Sequence, residues 1–167
     1  MTAATKILNT KEIEQKLKRL AWQVYEKNSS EKEIILVGIS KRGLILAKEL
    51  AQHINDISSI KTQIAQLELD KDNPYNKEVA VNLTEEEYSG KVVILVDDVL
   101  NSGKTLIYAA KHFLTTPLTR LATMVLVDRN HNRYPIKADY VGLSLATTLQ
   151  EYISVDLEGK EKGVFLS

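Results

Sequence analysis

The chain contains no cysteine, which excludes a disulfide framework, a thiolate zinc site and a cysteine nucleophile. It carries no excess of either charge. The 22 Lys and Arg residues balance the 22 Asp and Glu residues, so no global basic field argues for nucleic acid as the main partner. Of the three histidines, His53 and His112 fall on predicted helices and His131 in a loop. No ligand spacing joins them, and no protein metal site is expected. No apolar run approaches membrane-spanning length, and MTAATKILNTKEIEQ lacks the apolar core of a secretory signal. A soluble cytoplasmic protein without membrane contact is the expectation. Repeats, low-complexity tracts and linkers are also missing, so the 167 residues read as one domain, large enough to bury a real core.

Short apolar runs alternate with amphipathic stretches. Lys11–Lys27 reads as a helix, with Ile13, Leu17, Leu20, Ala21 and Val24 on one stripe, Asn9 or Thr10 as its cap, and Trp22 as a packing residue. IILVGI (34–39) is a buried strand, followed by a turn at Ser40–Gly43 and a helix over 44–54. Strands are predicted at 62–69, 79–83, 92–96, 121–127, 139–143 and 152–157, with a helix at 104–115. Thr84 and Glu87 have the spacing of a capping box. Strands alternating with helices predict an α/β fold: a mainly parallel central sheet flanked by helices.

The most specific stretch is VVILVDDVLNSGKT (92–105). Val92 to Val96 form a buried strand, and Asp97 and Asp98 stand where it ends, the end at which open α/β sheets bind ligands. Val99 and Leu100 lead into Asn101, Ser102, Gly103, Lys104 and Thr105, which offer hydroxyls, a cation and backbone N–H groups at a helix start. That is a place for a phosphate. A nucleoside-triphosphate loop would need glycine five positions before Gly103, where the chain has Asp98. Carboxylates beside a phosphate cradle instead suit a ribose phosphate. The bland alternative is a strand–turn–helix with a solvated acidic turn. A second strand end repeats the theme: Ser40, Lys41 and Arg42 set a hydroxyl and two cations before Gly43, where the missing side chain allows a close approach.

These residues resemble the type I phosphoribosyltransferases, which bind 5-phosphoribosyl 1-pyrophosphate with an acidic pair and a small-residue loop. ILVGISKRGLILAKELAQHI, VILVDDVLNSGKT, VLVDRNHNRYPIKADYVG and ISVDLE resemble, in that order, the branch of pyrimidine-operon attenuators that are also uracil phosphoribosyltransferases. The resemblance implies that Asp97 and Asp98 accept hydrogen bonds from the ribose hydroxyls. It gives the 5′-phosphate to Asn101–Thr105 and the pyrophosphate to Lys41 and Arg42, with Mg²⁺ bridging ligand oxygens. Asp97, Asp98 and Arg42 would carry catalysis, by positioning and by stabilising the departing anion. A hood at about 128–148 would recognise the base, with Asp128, Arg129 and Arg133 nearby and Tyr140 and Val141 as an apolar wall.

The chain departs from the family in two places. Purine-specific relatives carry an acid at the position of Asn101, which cannot remove a proton, so uracil is the favoured acceptor. The mobile loop, about 70–88, is shorter than in the attenuator branch, and Leu69-Asp70-Lys71-Asp72-Asn73-Pro74-Tyr75 lacks the arginine of a Tyr-Arg-Asp-Asp-like start. Such a loop excludes water on closing, so its truncation bears on catalytic rate more than on binding. The expected activity is phosphoribosyl transfer to a nucleobase, with pyrophosphate released, by a homodimer. The alternative is a nucleotide-responsive RNA-binding regulator of pyrimidine genes with little catalysis. A plain interaction domain is the third reading.

Overall fold

Alternate residues of the apolar run Ile34–Ile39 point to opposite faces of a sheet, and both faces are covered. The computed structural model, which describes residues 3–167, places this run in strand β2 (Glu33–Ile39) at the middle of the sheet. Before it come β1 (Thr5–Asn9) and α1 (Thr10–Lys27). After it come α2 (Ser40–Ile57), β3 (Lys61–Glu68), β4 (Ala80–Val81), the short α3 (Glu85–Tyr88), β5 (Val92–Leu100), α4 (Lys104–Phe113) and β6 (Arg120–Asp128). The chain continues through β7 (Tyr140–Ser144), β8 (Ile153–Asp156) and β9 (Gly163–Leu166).

The main sheet has the order β4-β3-β2-β5-β6-β7. Its pairs are parallel except for β3 with β4 at one edge. One face, with Ile34, Leu36, Ile94 and Met124, packs under Leu17, Leu20 and Val24 of α1 and Leu46 and Leu50 of α2. The other, with Ile35, Val37, Leu95 and Val125, packs under Leu106, Ala109 and Phe113 of α4 and Tyr88 of α3. These burials supply most of the driving force. On α1, Asn9 accepts from the Glu12 N–H at 2.9 Å while the Glu12 carboxylate accepts from the Asn9 N–H at 3.3 Å, the expected cap. Trp22 stays half exposed, edge-on to Tyr25 with ring centroids 6.1 Å apart.

The chain leaves β2 toward β3 on one side, then crosses to β5 on the other. The crevice beyond the ends of β2 and β5 is therefore the switch point at which open sheets bind ligands. Pairing between the two strands runs from Ile34 with Val92 to Gly38 with Val96. Beyond Val96, β5 continues against β6 alone as far as Leu100 with Asp128. The predicted strand ended at Val96; the extra residues belong to it because β6 supplies their ladder. Ser40–Gly43 is likewise the first turn of α2 rather than a separate turn.

A second, three-stranded antiparallel sheet has the order β1-β9-β8. Thr5 pairs with Leu166 and Ile153 with the same Leu166, so both ends of the described chain meet in it. The segment 128–148, expected to form the hood, divides among the end of β6, a loop and the edge strand β7. The element that stands across the strand ends beside the crevice is β8.

Candidate functional site

At the end of β5 the side chains of Asp97 and Asp98 are 2% and 8% exposed. The Asp98 N–H donates to Asp97 Oδ1 at 2.9 Å, and the Val99 N–H to Asp98 Oδ1 at 2.9 Å. Two cations reach the pair. Arg42 Nη1 of α2 lies 3.4 Å from Asp98 Oδ2, and Lys71 Nζ, from the loop after β3, lies 3.4 Å from Asp97 Oδ1 and 3.9 Å from Asp98 Oδ1. Burial pushes the Asp97 carboxyl well above the usual carboxylate range; the neighbouring Asp98 charge adds to this and Lys71 opposes it. A buried acidic pair held there favours any ligand that brings hydroxyl donors or positive charge.

Beside the pair, Asn101–Thr105 turn into α4. Gly103 has φ +88°, and a Cβ there would meet Ile136 Cγ2 at 2.7 Å, so only glycine suits the turn. The turn is pinned from behind, because the N–H groups of Arg133 and Tyr134 donate to the Ser102 carbonyl at 2.8 and 3.0 Å. Helix starts in this protein are of two kinds. Those of α1 and α3 have acidic first turns and capping boxes. Those of α2 and α4 have no acidic residue in the first turn and no hydrogen bond to the N-cap side chain, and at α4 only the Lys104 N–H is taken, by the Ser102 hydroxyl at 3.2 Å. The second kind leaves the positive end of the helix dipole open to an anion.

A cavity of about 340 Å³ joins these parts. It is lined by Arg42, Lys71, Asp97, Asp98, the whole run Val99–Leu106, and Tyr152–Val155 on β8 and its approach. Carboxylates, uncapped amides and cations thus face one space suited to a sugar carrying phosphates. Among the described residues no group of three or more His, Cys, Asp or Glu could hold a metal ion. Mg²⁺ commonly binds through one or two carboxylates plus phosphate oxygens and keeps several waters. The donor set therefore fits an ion brought in on a phosphorylated ligand.

The expected pyrophosphate turn is only partly at this cavity. Arg42 lines it, but Lys41 is paired with Glu158 Oε1 at 2.8 Å. Ser40 sits at φ +56°, a conformation uncommon for a residue with a side chain. Gly43 is buried, and a Cβ there would lie 2.5 Å from the Val96 carbonyl oxygen. Its close approach is to the protein's own backbone, letting α2 start tight against β5.

The expected base-recognition residues scatter, and several are corrected. Tyr140 is buried in the core against α1, with Asn28 Nδ2 3.5 Å from its hydroxyl and Lys27 Nζ 5.8 Å from its ring centroid. Val141 lies on the outer edge strand, where its carbonyl accepts from Arg19 at 3.1 Å. Neither lines the cavity, because β7 turns them to the core and the sheet edge. Asp128 Oδ1 accepts from the Asn130 N–H at 2.8 Å and shapes a turn in which Asn130 has φ +61°. Arg129 is consumed by the protein: it donates to Thr147 Oγ1 at 2.9 Å, Asn101 Oδ1 at 3.0 Å and the Thr148 and Glu151 carbonyls at 3.2 and 2.9 Å. It ties the phosphate turn to the segment before β8. Arg133 is exposed and, with Asn101, Ser102 and Thr147–Leu149, lines a second depression of about 560 Å³ that shares Asn101 and Ser102 with the first.

Sequence reasoning left out Lys71. The signal was present, as a lone cation between Asp70 and Asp72 in the segment already noted for its missing arginine.

Comparison with known proteins agrees with this geometry. Residues 3–158 match the model of the phosphoribosyl transferase domain. The bifunctional protein PyrR of Clostridium acetobutylicum is 37% identical over 95% of this chain and 93% of its own length. That of Enterococcus faecalis is 33% identical over 87% and 85%. Among solved structures, a hypoxanthine-guanine phosphoribosyltransferase from Bacillus anthracis, 25% identical, superposes with a TM-score of 0.70 over 87% of this chain and 85% of that one. The hypoxanthine phosphoribosyltransferase of Trypanosoma cruzi, 18% identical, shares the fold with a TM-score of 0.77 over 90% and 85%. The chain belongs to the phosphoribosyltransferase family, within its PyrR-like branch.

Proposed function

We propose that this protein transfers the 5-phosphoribosyl group of phosphoribosyl pyrophosphate to uracil and releases pyrophosphate. The observation that carries this reading is one cavity holding a buried carboxylate pair beside an uncapped helix start. Asp97 and Asp98 accept hydrogen bonds from the ribose hydroxyls. The amides of Asn101–Thr105 and the Ser102 and Thr105 hydroxyls hold the 5′-phosphate, and Arg42 faces the pyrophosphate. Mg²⁺ brought in on the ligand would lie beside Asp97 and Asp98 and would supply positive charge against the leaving group. A base nitrogen forms the bond to C1′ as the C1′–O bond breaks; that electron pair leaves on pyrophosphate and the base proton passes to water. Positioning and anion stabilisation carry the catalysis.

The acceptor follows from Asn101, whose amide accepts from Arg129 and cannot act as a proton acceptor for a purine. The depression beside it, with Arg133 and Thr147–Leu149, takes the base in place of Tyr140 and Val141. The protein works as a cytoplasmic homodimer on this reading. Mixing it with Mg²⁺, phosphoribosyl pyrophosphate and each of uracil, guanine, hypoxanthine and adenine tests the proposal. Pyrophosphate release with uracil is expected, and release with no base refutes the enzyme reading.

The relatives are called bifunctional proteins, which favours a second activity beside transfer, and the reading proposed for it is a nucleotide-responsive regulator that binds RNA. It predicts a mobility shift with pyrimidine-operon leader RNA that weakens as salt rises. Equal binding to unrelated RNA counts against it.

A further inference from the structure

Lys71 has no role in the reading above, yet its ammonium occupies the place where the ribose hydroxyls would dock. It lies 3.4 Å from Asp97 Oδ1 and 3.9 Å from Asp98 Oδ1, while its own side chain is 42% exposed. The loop that presents it is ordered locally. Asp70 Oδ1 accepts from the N–H groups of Asp72 and Asn73 at 3.0 and 3.2 Å. Lys104 Nζ, from the phosphate turn, donates to the Asp72 carbonyl at 2.5 Å, and lies 5.8 Å from the centroid of the Tyr75 ring. The short loop is therefore held against the cavity by the phosphate turn itself.

On the far side of the same carboxylates, Arg42 Nη1 approaches Asp98 Oδ2. The acidic pair is thus bracketed by two cations on separate elements, α2 and the loop after β3. A lysine stem is flexible and its ammonium is a compact charge with three donors, so it can change partner without the loop moving.

Resting on the reading of this cavity as the phosphoribosyl pyrophosphate site, we propose that Lys71 exchanges partners during binding. It rests on Asp97 and Asp98 in the empty site, then transfers to the pyrophosphate once the ribose takes the carboxyl groups. Lys71 is thereby a ligand-contacting residue for the leaving group. Ribose docking displaces a cation from two buried acids, and the pyrophosphate restores a partner to it. A sugar phosphate without pyrophosphate displaces the same cation and gives it nothing in return.

This contrast makes the test a crossed one. Calorimetry in Mg²⁺ compares phosphoribosyl pyrophosphate with ribose 5-phosphate on the unaltered protein, Lys71→Gln and Lys71→Arg, with thermal melts to verify folding. Lys71→Gln is expected to weaken phosphoribosyl pyrophosphate binding about tenfold, the size of one charge-assisted contact, and to bind ribose 5-phosphate as tightly as the unaltered protein or more tightly. Lys71→Arg restores most of the phosphoribosyl pyrophosphate affinity. Shifts of both ligands in the same direction, or of neither, overturn the exchange while leaving the site intact. Failure of the unaltered protein to bind either ligand overturns the reading of the cavity and the exchange together.

Discussion

Strands β2 and β5 lie side by side and end in turns of similar composition, yet the two turns differ in what they leave free. After β5, Asn101–Thr105 all line the cavity at the start of α4. After β2, most of the candidate groups are already committed. Lys41 is paired with Glu158, Gly43 is packed on the Val96 carbonyl, and Arg42 alone lines the cavity. A turn with hydroxyl, cation and glycine at a helix start thus describes two different devices. The turn after β5 is built in advance for an anion. The one after β2 supplies a single cation and a packing contact.

The strongest way to break this contrast is at β5. Replacing both acids, Asp97→Asn with Asp98→Asn, is expected to lower phosphoribosyl pyrophosphate affinity about a hundredfold or more, as two charge-assisted contacts are weakened. Unchanged calorimetric affinity refutes the assignment. The empty variant is also expected to change in the pH dependence of its stability. The folded Asp97 carboxyl holds its proton to higher pH than the unfolded chain does, so the folded state binds more protons and stability falls as pH rises above about 4. Removing the Asp97 carboxyl flattens that slope. Urea melts across pH measure this, and an unaltered slope removes the buried acid from the account.

The next effect belongs to the turn after β2. Gly43→Ala places a Cβ 2.5 Å from a backbone oxygen and is expected to cost about 1–3 kcal/mol by overpacking. An unchanged urea midpoint contradicts the packing role. The smallest effect sharpens the comparison most. Arg42→Ala is expected to weaken phosphoribosyl pyrophosphate binding about tenfold, whereas Lys41→Ala, which removes an exposed ion pair, changes it less than about twofold. Equal losses from the two variants erase the distinction between a cation that lines the cavity and one paired outside it.

How much of this was legible depended on range. The runs IILVGI and VVILV are apolar because both their faces are covered, and they announce β2 and β5 with no tertiary information. The acidic pair follows directly, since it stands where the apolar run stops. TKILN and GVFL carry no such mark. They are strands because β1 pairs with β9 across the length of the chain, and neither is apolar enough to be noticed alone. Tyr140 misled for a related reason. An aromatic near a binding loop looks the same in sequence whether it faces a ligand or, as here, Asn28 and α1. Lys71 and Arg129 act through partners 26 and 28 residues away, which composition does not reveal.

The small sheet gives the cavity an unusual dependence. Its wall at Ile153–Val155 belongs to β8, which is held by β9, which is held in turn by Thr5–Asn9. During synthesis, β5 and α4 can assemble from neighbouring chain, but this wall waits until residues 5–9 and 163–166 meet, a closure of nearly the greatest span the chain allows. Damage at either end of the described chain therefore reaches the cavity through strand pairing, without altering any residue that faces the ligand.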